Sequence, residues 1–143
     1  MGWVVTFLDD FEAEFDLFPA TVQDAVLVKA GLLELEGPRL GRPHADTLKG
    51  SKHANMKELR REAHGGAWRV LFAFDPDRQA ILLVPGDKSG VKEKWFYRRL
   101  IAKADERFDR HLAKRKGEDD GDDIEGEDVA ARPRPSRTDR GRD

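Results

Sequence analysis

The sequence predicts an α+β fold in which a mostly antiparallel sheet carries helices, in the order β-α-α-β-β-β-α. Two observations predict it. Short runs rich in β-branched and aromatic residues, typical of strands, lie at the start and in the middle of the chain. Apolar residues spaced three or four apart, typical of amphipathic helices, follow the first run and the last one. Two N-terminal helices and one C-terminal helix would therefore pack on the sheet.

The N-terminal part of the chain is predicted to hold one strand and two helices. Residues 3–8 form the strand, and an Asp-Asp pair directly after it is placed to cap the first helix. Pro19 lies where the first turn of a second helix would begin, and that helix would end near Gly37. Residues 39–54 are rich in Gly, Pro, His and Lys, which predicts a long basic loop.

The middle of the chain is predicted to supply the remaining strands. A Gly-Gly pair and an Asp-Pro-Asp sequence mark turns between three runs of alternating pattern, which are residues 55–63, 67–75 and 79–84. A last helix begins near Lys92, with apolar side chains at four-residue intervals on one face and cations on the others. The apolar residues of that face are Phe96, Leu100, Ala104, Phe108 and Leu112.

Composition divides the chain into one domain, residues 1–116, and a tail, residues 117–143. The domain has 21 Lys and Arg against 18 Asp and Glu, a balance of +3, whereas the tail has 5 against 10, a balance of −5. The tail has no aromatic residue and only two sizeable aliphatic ones, Ile124 and Val129. A segment that buries so little apolar surface does not offset the entropy of ordering it, so the tail is predicted to be disordered.

The absence of some residue types and the distribution of others narrow the function classes. The 143 residues include no cysteine, which excludes disulfides and thiolate metal sites and suits a cytoplasmic protein. No apolar run is long enough to cross a membrane, and the N-terminus does not resemble a signal peptide, so we expect a soluble protein. Residues 88–116 hold eleven cations against four anions, which indicates a polyanionic partner.

The remaining motifs favour chemistry that needs neither metal nor cofactor. The chain has no phosphate-binding glycine-rich loop, and its four histidines lack the spacing of zinc sites. What remains is a set of cations and one tyrosine in the basic loop, the middle strands and the start of the last helix. Cleavage of RNA by its own 2′-hydroxyl needs only a base, cations around the phosphate and an acid, and arginine suits the phosphate. A solvated charged surface without catalytic function would carry the same residues.

Three short motifs, in this order, resemble the RelE/HigB superfamily and above all its phage-derived HigB-like branch. They are Leu40-Gly41-Arg42-Pro43 with Leu48-Lys49-Gly50, then Glu58-Leu59-Arg60, then Trp68-Arg69-Val70-Leu71-Phe72. The resemblance covers about residues 3–115 and implies the RelE-like fold, whose element order is the one predicted above. It also implies the toxin of a type II toxin–antitoxin pair, an endoribonuclease that cuts mRNA, commonly on the ribosome. The implied partner is an antitoxin with a helix-turn-helix domain.

The resemblance also assigns expected roles to individual residues. By position, Arg69 matches a strand arginine that contacts the scissile phosphate, and Arg60 matches a second arginine of the RNA site. Lys88 and Tyr97 fall where the family has a basic residue and a tyrosine that stacks and transfers protons. The RNA-contacting cations are expected to be Lys49, Lys52, Lys57, Arg61, Lys92 and Lys94.

The sequence departs from the family pattern where the general acid and base would be. Val84-Pro85-Gly86-Asp87-Lys88 replaces a block that usually carries a histidine and two basic residues, and Glu58 lies near the position of a catalytic lysine of RelE. His53 is a candidate base because the ordinary pKa of histidine is about 6.5. Two alternatives follow from these departures. One is a non-catalytic inhibitor of the same fold that binds a protein such as DNA gyrase, and the other is a degenerate phage-derived binding protein.

Overall fold

The computed structural model describes residues 2–63, 66–119 and 131–133. The three helices are α1 (Asp9–Phe15), α2 (Ala20–Glu36) and α3 (Glu93–Asp119), and a short 3-10 turn covers Gly37–Arg39. The strands are β1 (Val4–Leu8), β2 (Ala45–Thr47), β3 (Met56–Ala63), β4 (Gly66–Phe74), β5 (Gln79–Asp87) and β6 (Ala131–Pro133).

The strands form one sheet in the order β2-β3-β4-β5-β1-β6. Only β1 and β5 run parallel, and the other four neighbouring pairs are antiparallel. Parallel neighbours need a long crossover connection. Here the helices α1 and α2 and the strands β2, β3 and β4 all lie between β1 and β5 in the sequence. The predicted α+β class with a mostly antiparallel sheet is confirmed.

Two element boundaries differ from the prediction for identifiable reasons. The predicted long loop 39–54 contains the short strand β2, which pairs with β3. Strand β5 continues past Val84 through Pro85 and Gly86 to Asp87, although a Pro-Gly pair normally ends a strand. Because β1 pairs with β5 only as far as Leu82, the end of β5 has β4 as its neighbour on one side, and such an edge tolerates proline.

The start of α1 also differs in detail. Asp9 lies in the first helical turn and Leu8 occupies the N-cap position, with no side-chain capping bond. The Asp-Asp pair therefore stabilises the helix through its charge near the positive end of the helix dipole and not as a cap. Helix α2 begins directly after Pro19 and ends at Glu36, as predicted.

The core lies on both faces of the sheet. In β4, Trp68 and Val70 are buried on one face, and Leu71 and Ala73 are buried on the opposite face. Helix α3 supplies Phe96, Ala104 and Phe108 from its predicted apolar face, and Leu100 and Leu112 pack partly buried beside them. Helices on both faces explain why β4 and β5 are nearly continuous apolar runs.

The region predicted to be a disordered tail, 117–143, is described in two places. Helix α3 runs through the predicted boundary to Asp119, so that boundary falls inside a helix. Ala131–Pro133 form β6, which pairs with β1 from Thr6 to Leu8. The other residues of the tail lie outside the described residues.

No helix in the described part of the chain is long and apolar enough to cross a membrane. Within residues 2–63, 66–119 and 131–133, the His, Asp and Glu side chains also form no group of three that could hold a metal ion.

Two glycines of the α2 region should respond oppositely to alanine. Gly37 has a φ of 56°, and a Cβ there would collide with the indole of Trp3, so we expect Gly37→Ala to destabilise by roughly 1–3 kcal/mol. Gly31 lies inside the helix with open space around it, so Gly31→Ala should stabilise by roughly 0.5–1 kcal/mol. Urea unfolding of both variants measures the difference. Equal effects of the two substitutions would contradict the described end of α2.

Candidate active site

Two arginines lie directly opposite each other in the sheet. The register of β3 and β4 pairs Arg60 with Arg69, so both side chains leave the same face. Like charges in directly opposed positions destabilise a sheet. The pair therefore requires a neighbouring negative charge.

Glu58 supplies that charge. It lies two residues before Arg60 in β3 and so on the same face. Its Oε2 accepts a hydrogen bond from Arg60 Nη1 at 2.9 Å, and its Oε1 lies 3.5 Å from Arg69 Nε. With only 4% of its surface exposed, Glu58 is the carboxylate that makes two buried or half-buried guanidinium groups compatible with one another.

Helix α3 adds Tyr97 to this group. The Tyr97 hydroxyl donates to Glu58 Oε1 at 2.6 Å and accepts from Arg69 Nε at 3.0 Å. The close approach of the helix depends on Gly86, which is paired with Arg69 in β5. A Cβ at Gly86 would lie 2.9 Å from Leu100 and 3.0 Å from Phe96, both on α3.

The phenol of Tyr97 is held in its neutral form. Burial of the ring and the adjacent Glu58 carboxylate raise the pKa of Tyr97 to about 12, while Arg69 acts in the opposite direction. Tyr97 is therefore a proton donor at neutral pH, and Glu58 is the acceptor at the other end of a short hydrogen bond.

These side chains form the arginine–tyrosine cluster, which consists of Glu58, Arg60, Arg69 and Tyr97. They differ in how far they are exposed to solvent. Arg69 is 1% exposed, and its Nη1 also donates to the Trp68 carbonyl at 3.0 Å. The Arg60 side chain is 17% exposed, and Tyr97 is half-buried. Arg60 and Tyr97 thus form the solvent-facing part of the cluster, and Arg69 lies behind them.

Lys88 directly follows β5, in the short segment that leads into α3. Its backbone N–H donates to the Ala67 carbonyl, and its Nζ is 3.9 Å from Glu93 Oε1. Glu93 is one helical turn before Tyr97. Lys88 is thereby a third cation, after Arg60 and Arg69, and it lies beside the first turn of the helix that carries the tyrosine.

His53, the candidate base, is elsewhere. Its Nε2 lies 2.8 Å from Asp109 Oδ1, and Lys52 Nζ donates to the other oxygen of the same carboxylate at 2.7 Å. Asp109 is twelve residues after Tyr97 in α3, which corresponds to roughly 18 Å along the helix. The structure does not bring His53 or Lys52 to the arginine–tyrosine cluster, and both instead attach the loop after β2 to α3.

The other expected RNA-contacting cations lie on three different parts of the fold. Lys92 and Lys94 are exposed at the start of α3, near Tyr97. Lys57 and Arg61 lie on β3 but leave the face opposite to Glu58 and Arg60. Lys49 is exposed in the loop that follows β2.

Comparisons with known proteins agree on the family. Residues 13–109 match the model of the phage-derived Gp49-like proteins. HigB3 of Mycobacterium tuberculosis, which is named as a toxin, is 48% identical over 103 residues, covering 70% of this chain and 88% of that protein. This chain belongs to the Gp49-like branch of the RelE/HigB toxin family.

Two further relatives add to this assignment. HigB2 of Mycobacterium tuberculosis, also named as a toxin, is 49% identical over 114 residues. That match covers 79% of this chain, which spans little more than half (56%) of HigB2. An Escherichia coli RelE toxin mutant in the free state superposes with a TM-score of 0.53 at 15% identity, covering 75% of this chain and 98% of RelE. The RelE-like fold expected from the motifs is thereby confirmed.

Glu58 is the member of the site that motif comparison within the RelE/HigB family misses. Aligned motifs mark it as a departure, because a lysine is expected near that position. The signal that identifies it is the spacing Glu58-Leu59-Arg60 within a strand, which places a carboxylate and an arginine on one face. The pairing with Arg69 becomes visible only once the strand register is known.

Tyr97 is the only tyrosine of this RelE/HigB-family chain, so its ionisation can be followed directly by ultraviolet absorbance. We expect a pKa near 12 in the folded protein and about 10 in urea. Because the folded pKa is the higher one, the contribution of Tyr97 to stability is complete below about pH 10 and is lost as the pH rises toward 12. Glu58→Gln should lower the folded value, since it removes the adjacent negative charge.

The matched control is Glu93→Gln, which removes a carboxylate one helical turn from Tyr97 but outside its hydrogen bonds. An unchanged titration in Glu58→Gln, or a folded pKa near 10 in the wild type, would contradict the described cluster.

Proposed function

We propose that this protein is the toxin of a type II toxin–antitoxin pair and that it cleaves mRNA through attack by the RNA 2′-hydroxyl, without a metal ion. The partner that neutralises it is a helix-turn-helix antitoxin, and the RNA is cut on the ribosome, as the family resemblance implies. Membership of the RelE/HigB toxin family supports the general role. The single observation that supports catalysis is the chain of hydrogen bonds that joins Arg69, Tyr97 and Glu58 beside Arg60.

The proposed reaction uses Glu58, Arg60 and Tyr97 of the cluster, together with Lys88. Glu58 is 4% exposed, so in this proposal Arg60 moves from the Glu58 carboxylate to the phosphate, and the uncovered carboxylate accepts the proton of the 2′-hydroxyl. The 2′-oxygen then forms a bond to phosphorus. Arg60 and Lys88 stabilise the additional negative charge on the phosphoryl oxygens. Tyr97 donates its proton to the 5′-oxygen as the bond between phosphorus and that oxygen breaks. The products are a 2′,3′-cyclic phosphate and a free 5′-hydroxyl.

The short bond between Tyr97 and Glu58 supports a way to restore the starting state. After the reaction the proton is on Glu58 and the phenol is ionised. Because the two oxygens are 2.6 Å apart, the proton returns from the carboxyl group to the phenolate without a separate carrier. The raised pKa of Tyr97, about 12, favours this return.

In this proposal Arg69 positions the other groups. The resemblance implies that it contacts the scissile phosphate, but its side chain is 1% exposed and bonded to Tyr97 and to the Trp68 carbonyl. Its Nε holds the Tyr97 hydroxyl and lies 3.5 Å from Glu58 Oε1, so it fixes the positions of the two proton-transfer groups. Arg60, which is more exposed, takes the phosphate contact.

The same burial favours a second candidate function, a non-catalytic inhibitor on this fold. A carboxylate and an arginine that are 4% and 1% exposed satisfy each other and also suit a structural role. Such a protein would arrest growth by binding a protein target such as DNA gyrase and would leave messages intact.

Mapping the 5′ ends of cellular mRNA after brief induction separates the two functions. Wild type should produce discrete new ends within translated regions. Tyr97→Phe and Glu58→Gln should reduce these ends by about 10²- to 10⁴-fold, because each removes one proton-transfer group. His53→Ala is the matched control and should cleave like the wild type, since His53 is attached to Asp109.

Thermal unfolding of each variant shows whether it folds. Growth arrest with intact messages in the wild type would reject the nuclease and favour the binding inhibitor. Cleavage that persists in folded Tyr97→Phe and Glu58→Gln would reject the assigned proton-transfer roles, and loss of cleavage in folded His53→Ala would reject its exclusion from the site.

A further inference from the structure

A second cationic site lies at the edge of the sheet, outside the arginine–tyrosine cluster. Strand β2 pairs with β3 only as far as Ala45 and Leu59, and the Arg60 N–H then donates to the His44 carbonyl at 2.9 Å. Beyond this point the chain preceding β2 leaves the sheet. A groove of about 590 Å³ lies there, lined by Lys29 of α2, by Arg42 and Pro43, and by Arg60 and Arg61 of β3.

The charges of this edge groove do not balance. Asp46 pairs with Arg42 at 2.8 Å, and Glu58 pairs with Arg60 at 2.9 Å. Glu58 is moreover shared with Arg69, and the side chains of the other two lining cations, Lys29 and Arg61, have no carboxylate partner among the described residues. Arg61 is exposed, and its side chain makes no hydrogen bond or ion pair with another described residue.

Lys29 lies in a setting that disfavours its charged form, first because it is partly buried and second because Arg61 is near. It is half-buried, and its Nζ has the ring nitrogen Nδ1 of His44 as its partner at 2.9 Å, not a carboxylate. Burial and the nearby Arg61 lower the pKa of Lys29 below its ordinary value. An anion bound between Lys29 and Arg61 would compensate both effects.

We propose that the edge groove binds a backbone phosphate of single-stranded RNA next to the scissile one, and so holds the substrate across the edge of β3. This inference rests on the proposed nuclease function. Arg60 joins the two sites, because it lines the groove and bonds to Glu58 of the arginine–tyrosine cluster.

The arrangement of the cations favours a nucleic-acid backbone over an acidic peptide. Arg60 and Arg61 leave opposite faces of β3, so positive charge flanks the strand edge on both sides. An RNA strand that crosses this edge would present successive phosphates to Arg60 and then to Arg61 with Lys29. The guanidinium fork of Arg61 is suited to bind two phosphate oxygens at once.

The test is equilibrium binding of a short 2′-O-methyl RNA, which has no free 2′-hydroxyl to attack, over a series of salt concentrations. Arg61→Gln and Lys29→Gln should each weaken binding several-fold at low salt. Each should also reduce the slope of log affinity against log salt by about 0.7, the value for one phosphate contact on a single strand. Lys114→Gln is the control: it removes the same charge from α3, where Lys114 lines a different cavity.

The outcomes separate this inference from the nuclease proposal. Binding that is weakened in folded Arg61→Gln and Lys29→Gln supports the groove even where the wild type proves unable to cleave RNA. Wild-type cleavage together with unchanged affinity and salt slope in both variants overturns the groove and leaves the nuclease intact. Absence of RNA binding by the wild type overturns the groove. It is also overturned if Arg61→Gln and Lys29→Gln weaken the binding of poly-glutamate but leave RNA binding unchanged, a result that would indicate an acidic protein ligand.

Discussion

The interaction on which this structure most depends is the ion pairing of Glu58 with two cross-strand arginines. Arg60 and Arg69 face each other between the central strands, and their repulsion would destabilise the pairing of β3 with β4. One carboxylate on the same face converts that repulsion into two attractions. The same carboxylate then provides the hydrogen-bond acceptor that orients Tyr97. Fold and candidate chemistry thus share one buried negative charge.

The Glu58 carboxylate can bind Tyr97 only because α3 approaches the sheet closely. Contacts beside the site and farther along the helix hold α3 there. Gly86 leaves room for Leu100 and Phe96 over the end of β5. Farther along α3, Arg107 binds both carboxylate oxygens of Glu14 at 2.8 Å and also the Leu83 carbonyl. His111, 8% exposed, lies 2.8 Å from Asp75. These contacts fix the axis of the helix, and the position of the Tyr97 hydroxyl follows from that axis.

The sequence predicts most of this fold, since periodicity is a local property. The four-residue spacing of Phe96, Leu100, Ala104 and Phe108 indicates the buried face of α3 without any tertiary knowledge. Periodicity does not predict that β5 passes through Pro85, because tolerance of proline depends on which edge of the strand is unpaired. The pairing of β6 with β1 is likewise a long-range contact that the composition of the tail gives no reason to expect.

The candidate site, like the fold, can be predicted from the sequence only in part. Family motifs indicate Arg60, Arg69 and Tyr97, but motif position does not distinguish a guanidinium that faces solvent from one that is 1% exposed. The ordinary pKa of histidine makes His53 a candidate base, but the sequence does not predict its location. His53 lies in a loop that its contact with Asp109 holds against α3, away from the cluster. Burial distinguishes roles that position leaves open. The enclosed Arg69 orients Tyr97 beside Glu58, and in the proposed reaction Arg60, which is more exposed, contacts the substrate.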